Sequence, residues 1–500
     1  MTLLIKNVRI VGGNKSFPEI SDVFVSNDRI SAIGNFRNKK ATVLLDGQGA
    51  YLSSGFIDVN TDSDHYFTLF EHPSQDDFLK QGVTTIFGGM CGSSLAPLLY
   101  GSLESIRKWT NADKANVNWH TMAEFLAVID KRPLGVNFGT MAGHGTIRRA
   151  IVGDSLRNLS RNELGVFAGV FKRAMQEGAF GLSTGLGYVH ARITPYAEIK
   201  SLAHTMEYFH GIYATHLRDS VSLMDSVGEV IQFAKETGTS TLINHFVPLK
   251  SSAKEYPRVL ELIENLPDGI DFNFDIYPFS ETLMPFYTFL PLWAQTGGWE
   301  TMLRNVKDKW FISRIMKEMR PIDEDNFTIA QAPANNFLVG KTLRDIKEMY
   351  EVKDAREALL RFMAAMDLRG VALYKNIDED LLMKAISSKR SLIASNAPSF
   401  GEEGKIKQMK SERTTGTFTK FLLLAEKDGI MSLDEAVRKI TQVPAKKFGL
   451  VGRGEIKEGA FADLTCFKDG IIKFTVVNGK VAVKNGEFQN VFAGRAFRHN

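Results

Sequence analysis

The stretch SLIASNA, residues 391–397, is the last of eight short apolar segments that alternate with helical patterns along the chain. The segments are rich in apolar, β-branched or aromatic residues and are bounded by turn residues, which is typical of buried strands. They are Gly55–Asp58, Thr84–Gly89, Val136–Gly143, Phe180–Leu186, Ile212–Arg218, Ser240–Phe246, Asp271–Pro278 and Ser391–Ala397. This alternation predicts an α/β fold, a (β/α)8 TIM barrel, whose functional side chains lie at the carboxyl ends of the strands.

The composition is typical of a large globular enzyme. A chain of 500 residues, 44% of them hydrophobic, exceeds the usual size of one domain, so we expect a barrel plus smaller units. The 61 basic and 57 acidic residues are interspersed, so neither nucleic acid nor membrane is an expected partner. The two cysteines build no disulfide framework, and no signal sequence or long apolar run is found, so a cytoplasmic location is expected.

The residues outside the barrel predict two further units. Residues 1–52 and 445–500 both contain short strands and tight turns, so we expect them to form one β-sandwich domain beside a barrel of residues 53–444. More than 100 residues separate the seventh and eighth strands, so residues 280–345 are predicted to be an inserted subdomain or lid. Helices near Thr417–Glu426 and Leu433–Thr441 complete the barrel, the second with Ser432 as its N-cap.

Residues that commonly bind metals stand at three strand ends. Cys91 follows strand two, His216 lies at the end of strand five, and His245 lies at the end of strand six. One thiolate and two imidazoles form a three-ligand zinc set with a fourth position open to water, as in catalytic sites. We therefore expect one zinc ion. The alternative for Cys91 is that of a small buried hydrophobic residue, a common role of free cysteine.

Seven stretches of the chain resemble the D-aminoacylase, or N-acyl-D-amino-acid deacylase, family of the amidohydrolase superfamily. They are GFIDVNTDSD (55–64), QGVTTIFGGMCGSSLAPL (81–98), AGHGTIRRAIVG (142–153), GAFGLSTGLGY (178–188), YATHLRD (213–219), DIYPF (275–279) and PAKKFGLVGRGEIKEGAFADL (444–464). The resemblance implies the fold of the metal-dependent hydrolases, with a β-sandwich built from both termini. It also implies a small-molecule substrate, an N-acyl amino acid, and a tightly bound zinc ion on Cys91, His216 and His245.

Four further residues are candidates for substrate binding. Tyr188, Tyr277 and Arg413 match the positions that the resemblance implies for holding the acyl-amino acid. His144, within Gly143-His144-Gly145, either contacts the site or caps a turn. The lysine that the family usually carries on strand six is replaced in this chain. Because Tyr188, Tyr277 and Arg413 are still present, part of the carboxylate-binding set is retained.

Three departures make the rest of the site degenerate. The resemblance implies His-x-His where Asn60 and Asp62 stand, and a catalytic aspartate where Asn396 stands. A general base contributes roughly 100- to 10,000-fold in rate, and an amide cannot serve as one. Asp62 is the candidate substitute, supported by His65 and Asp64, because its side chain is expected to point along the same face as Asn60. The alternative is that Asn60 and Asp62 only hydrogen-bond to each other and to water.

Three functions follow from these residues. The first is a mononuclear zinc amidohydrolase acting on an N-acyl amino acid or related amide, in which Asn396 hydrogen-bonds to substrate. The second keeps the fold and changes the reaction to acyl transfer or cyclisation. The third is a non-catalytic homologue that lacks the base. The fold is common to all three and does not distinguish them.

Overall fold

The computed structural model describes residues 1–13, 18–101, 103–107, 117–218, 222–401 and 409–499. The strands, numbered in chain order, are β1 (Thr2–Ile10), β2 (Ser21–Ser26), β3 (Arg29–Gly34), β4 (Val43–Asp46), β5 (Tyr51–Ser54), β6 (Phe56–Asp58), β7 (Val83–Gly88), β8 (Asn137–Thr140), β9 (Ala142–Gly143), β10 (Gly181–Gly185), β11 (Ile212–His216), β12 (Ser240–Ile243), β13 (Phe272–Ile276), β14 (Thr282–Pro285), β15 (Phe327–Gln331), β16 (Val371–Tyr374), β17 (Ser391–Ile393), β18 (Leu464–Lys468), β19 (Ile471–Val477), β20 (Lys480–Lys484) and β21 (Glu487–Phe488).

Helices fill the connections between these strands. They are α1 (Thr68–Glu71), α2 (Asp76–Leu79), α3 (Met122–Asp130), α4 (His144–Val152), α5 (Arg161–Gln176), α6 (Tyr196–Ser201), α7 (Ala203–Tyr208), α8 (Leu223–Thr237), α9 (Tyr256–Glu264), α10 (Gly298–Lys307), α11 (Lys309–Glu318), α12 (Leu343–Met349), α13 (Ala355–Ala365), α14 (Glu379–Ser387), α15 (Glu412–Lys427), α16 (Leu433–Ile440) and α17 (Gln442–Lys447). Ser432 caps α16 by accepting the Glu435 N–H, as predicted. Among the described residues no helix has the length and apolarity that crossing a bilayer requires.

The eight predicted barrel strands are present and parallel. They form two arcs, β6-β7-β8 and β9-β10-β11-β12-β13-β17, and the third barrel strand contributes β8 to one arc and β9 to the other. The eighth strand returns to the first: the Asn396 N–H donates to the Asn60 carbonyl at 2.9 Å, and the Asp62 N–H donates to the Ala397 carbonyl at 3.1 Å. The TIM-barrel prediction is confirmed. Residues 60, 62 and 396 therefore lie together at one end of the barrel.

Strands from both ends of the chain form a single nine-stranded arrangement. Its order is β21-β20-β19-β18-β5-β1-β2-β3, with β4 also paired to β1. The antiparallel pair β5 and β18, in which Leu52 faces Cys466, joins the N-terminal strands to the C-terminal ones. A separate apolar core, including Val23, Leu52 and Phe474, fills this unit.

The segment between β13 and β17 has its own antiparallel sheet, β14-β16-β15, and its own apolar core around Phe286 and Phe362. The predicted boundary at residue 345 is wrong, because the central strand of this sheet, β16, comes last in sequence at Val371–Tyr374. Four apolar residues after a helix gave no signal of pairing with strands about 40 and 85 residues earlier. A role for this unit as a lid remains a prediction.

Candidate active site

Cys91, His216 and His245 converge at the carboxyl ends of the second, fifth and sixth barrel strands. Their ligand atoms all lie within 4.8 Å of one another. The Cys91 Sγ is 3.3 Å from the His245 Nε2, which is 2.9 Å from the His216 Nδ1. We call these three residues the Cys-His-His cluster. The sequence therefore identified three side chains, separated by up to 154 residues, that the fold brings to one point.

The backbone adopts the left-handed conformation at three of the strand ends. Cys91, His245 and Asn396 have φ values of +54°, +36° and +45°. The left-handed region costs a residue with a side chain about 1–3 kcal/mol, and such strain collects at functional sites where the surrounding structure enforces it. Asparagine, aspartate and histidine adopt this conformation more often than other residues with a side chain, whereas cysteine does so rarely. The strain at Cys91 is therefore the observation that indicates a functional cluster.

The cluster fits a tetrahedral metal. Zinc–nitrogen and zinc–sulfur bonds of about 2.0 and 2.3 Å place neighbouring ligand atoms roughly 3.3–3.6 Å apart, close to the separations found here. Burial and the adjacent His216 lower the pKa of His245 to about 3, so its ring is neutral and able to donate a lone pair at neutral pH. The Tyr188 ring stacks on His216 with centroids 4.8 Å apart, which places Tyr188 at the cluster as predicted.

Asp275, at the end of β13, is a buried hub that sequence reasoning did not assign. Its carboxylate accepts from the His245 N–H at 2.7 Å, the Asn244 Nδ2 at 2.9 Å and the Asn60 Nδ2 at 3.1 Å. Burial raises the pKa of Asp275 to about 6. These bonds fix the strained turn at His245 and hold Asn60 away from Asp62. Asn60 thus supports the site through Asp275.

Asp62 is bonded to His65 and Asn60 to Asp275, so the alternative in which Asn60 and Asp62 hydrogen-bond only to each other and to water is wrong. The Asp62 Oδ1 lies 2.9 Å from the His65 Nδ1, and the His65 Nε2 lies 2.9 Å from the Ser93 carbonyl oxygen. Burial tends to raise the pKa of Asp62, but the hydrogen bond and charge of His65 outweigh it, and the pKa falls below its ordinary value. Asp62 is therefore an anion at neutral pH.

Asn396 and Arg413 complete the polar lining. Asn396 is half-buried, and its side-chain amide has no hydrogen-bond partner among the described residues. The Arg413 guanidinium is buried over the Tyr277 ring at 4.3 Å, and its Nε is likewise without a partner there. Within the same described ranges Arg413 forms no ion pair, so its positive charge is available to an anionic ligand.

His144 does not belong to the site. Its Nε2 bonds to the Glu198 carboxylate on α6 at 2.9 Å, and its ring packs against Phe167 on α5. The residue begins α4, which turns the side chain toward the outer helices even though its backbone follows a barrel strand. The predicted substrate contact of His144 is therefore wrong, for a reason of backbone direction.

Comparison with known proteins finds relatives that are similar in sequence and in fold. The sequence pattern of the amidohydrolase family matches residues 301–482. The D-aminoacylase of Alcaligenes xylosoxydans xylosoxydans is 26% identical over 477 residues, which cover 95% of this chain and 89% of that protein. The N-acyl-D-aspartate deacylase of the same organism is 26% identical over 469 residues, covering 93% and 85%. A solved D-aminoacylase mutant in complex with CuCl2 superposes with a TM-score of 0.81 at 25% identity over 99% of both chains.

The barrel and the terminal strands together form the fold of the solved D-aminoacylase. The chain is similar to the D-aminoacylase and to the N-acyl-D-aspartate deacylase over nearly its whole length.

Proposed function

We propose that this protein is a mononuclear zinc hydrolase that cleaves the amide bond of an N-acyl amino acid or a closely related small molecule. The observation that carries the proposal is the convergence of the Cys91, His216 and His245 ligand atoms within 4.8 Å at the barrel mouth. Amide hydrolysis is also the activity named for the relatives, D-aminoacylase and N-acyl-D-aspartate deacylase.

The Cys-His-His cluster would hold one zinc ion. When bound in such a site, zinc acidifies a water molecule and polarises a carbonyl group. Only these three side chains form a metal-binding group among the described residues, so we propose a single ion. The neighbouring positions offer two neutral amides, Asn60 and Asn396, and the Asp62 carboxylate, whose Oδ1 is bonded to His65.

Arg413 would bind the carboxylate of the substrate. It is a buried cation with an unpartnered Nε, and a guanidinium matches the geometry of a carboxylate. The Tyr277 ring packs against the guanidinium, and the Tyr188 ring stacks on His216. This arrangement selects a small anionic substrate that carries its carboxylate near the scissile amide.

Asp62 would supply the base that Asn396 cannot. It is an anion at neutral pH, its side chain retains 12% exposure, and its charge acts on both His245 and Arg413. Asp62 would take a proton from the attacking water and return it to the leaving amine, a role open to a positioned carboxylate. Asn396, with an unused amide at the neighbouring strand end, would hydrogen-bond the substrate.

The test is a substrate panel on the zinc-loaded protein. N-acetyl and longer N-acyl derivatives of D- and L-amino acids are incubated with it, and release of free amine is measured. Release that depends on zinc supports the proposal. Zinc bound without amine release points to acyl transfer or cyclisation. Both reactions would benefit from the absence of a base that activates water. A protein that binds no zinc and releases no amine is a non-catalytic homologue.

A further inference from the structure

We propose that His65 is the positioning residue for Asp62: held between two hydrogen-bond acceptors, it stays doubly protonated and keeps the buried Asp62 an anion with one oxygen toward the cluster. This inference rests on the proposed function, in which Asp62 is the base. It concerns a histidine outside the Cys-His-His cluster.

The hydrogen bonds of His65 leave one choice of protonation. The Ser93 carbonyl oxygen, 2.9 Å from Nε2, can only accept, so Nε2 carries a proton. The Asp62 Oδ1, 2.9 Å from Nδ1, also accepts when the carboxylate is ionised, so Nδ1 carries a proton as well. In a neutral ring one nitrogen has a lone pair in place of a proton, and that lone pair would repel the oxygen that faces it. The ring is therefore an imidazolium.

Asp62 then uses its two oxygens differently. Its Oδ1 is bound to His65, and the Asp62 side chain as a whole is 12% exposed, whereas the His65 side chain has no exposure. The pair is thus closed to solvent on the His65 side and open on the Asp62 side. With Oδ1 fixed, Oδ2 is the oxygen that can accept a proton.

Other charges around the pair act in the same direction. Asp64 Oδ2 lies 4.0 Å from the His65 Nε2, and its charge with that of Asp62 raises the pKa of His65 although burial opposes this. Arg413 also lowers the pKa of Asp62, whose own charge raises the pKa of Tyr66 and Asp275. His245 also faces Asp62, but its ring is neutral at neutral pH. The cations that act on Asp62 at neutral pH are therefore His65 and Arg413.

A second buried histidine in the same chain has a different charge environment. His144 also meets a carboxylate at 2.9 Å, but its Nδ1 has no partner in the described structure. Burial lowers the pKa of His144 despite the Glu198 bond, and the cations Arg148 and Arg218 add to this effect. The carboxylates of Asp64 and Asp62 instead raise the pKa of His65. We therefore expect His144 to be neutral at a pH at which His65 is charged.

The direct test is NMR of the wild-type protein labelled with 15N in its histidine rings, recorded from pH 5 to pH 9. His65, assigned by the signal lost in His65→Gln, is expected to show two protonated ring nitrogens at pH 7. His144, assigned through His144→Gln, is expected to show a neutral ring. A neutral His65 at pH 7 would overturn the inference, whether or not the protein hydrolyses any amide.

The second test is the pH profile of kcat/KM for a substrate found with the panel above. His65→Gln keeps a polar side chain beside Asp62 but removes the positive charge, so burial acts unopposed and the acidic limb moves up by about one pH unit or more. His144→Gln is expected to leave the limb in place. An unmoved limb in His65→Gln, in protein that is folded and zinc-loaded, would contradict the positioning role.

Discussion

Asp62→Asn is the perturbation that most sharply tests how protons move in this site. Asparagine keeps an oxygen that accepts the His65 Nδ1–H, so the 2.9 Å contact and the local backbone should survive. What disappears is the ability to take a proton, and the loss of a general base costs about 100- to 10,000-fold in rate. We therefore expect kcat for amine release to fall about 100-fold or more, at full zinc content.

The same carboxylate can be moved to the neighbouring strand end. The backbones of residues 62 and 396 are linked by the bonds Asn396 N–H to Asn60 and Asp62 N–H to Ala397, at 2.9 and 3.1 Å. Asn396→Asp in the Asp62→Asn background places an anion at the same barrel mouth, and aspartate tolerates the φ of +45° there. We expect the double variant to regain about tenfold or more of the lost kcat.

The assay is the initial rate of amine release, with zinc content and thermal unfolding measured on each variant. Glu198→Gln is the matched control, since it alters a buried histidine–carboxylate pair in the outer helices and should leave kcat unchanged. Unaltered kcat in zinc-loaded Asp62→Asn would refute the role of Asp62. Failure of the double variant to recover, with the single variant impaired, would show that position 396 does not face the reacting atoms.

Two other predictions concern the substrate and the barrel itself. Arg413→Met should raise KM about 10- to 100-fold for an N-acyl amino acid, because a hydrogen bond to a charged group contributes about 1.5–3 kcal/mol. KM for an N-acyl amine without a carboxylate should not change, and an equal rise for both compounds would contradict the assigned contact. Asp58 accepts from the Asn60 and Ser395 N–H groups, and burial raises its pKa from 3.8 to about 8. An acid whose pKa is raised by folding binds more protons in the folded state than in the unfolded state. The free energy of unfolding should therefore fall by about 1.4 kcal/mol for each unit that the pH rises between those two pKa values. Asp58→Asn should remove that slope in urea unfolding at pH 5 and pH 7.5, and an unchanged slope would show that another group titrates.

The barrel strands could be predicted because buried parallel strands are continuous apolar runs. The predicted runs extended too far at their carboxyl ends, as at Ser391–Ala397 against β17, since small and polar residues continue into the irregular backbone that carries the site. Strands β4 and β5 were not predicted, nor was the pairing of β16 with β14. Short strands of four residues acquire their register from partners distant in sequence, which a local pattern does not contain.

The side chains of the Cys-His-His cluster were predictable, whereas the Asp275 network beside them was not. Cysteine and histidine at strand ends are specific residue types, so Cys91, His216 and His245 could be named from the chain alone. Asp275 holds Asn60 across 215 residues, and no spacing rule connects them. His144 shows the same limit, because it follows a barrel strand and yet faces outward. His65 is different: it lies three residues from Asp62 in sequence, and its support of Asp62 was expected from the sequence.

The amount of zinc bound per chain, measured by elemental analysis after dialysis against trace zinc, tests the proposed metal site most directly. The wild-type protein is expected to retain one equivalent and Cys91→Ala to lose it. Cys466→Ala, which removes the other buried cysteine from β18, is expected to retain it. Zinc retained by Cys91→Ala as firmly as by the wild type, or one equivalent lost from Cys466→Ala alone, would contradict the Cys-His-His cluster as the metal site.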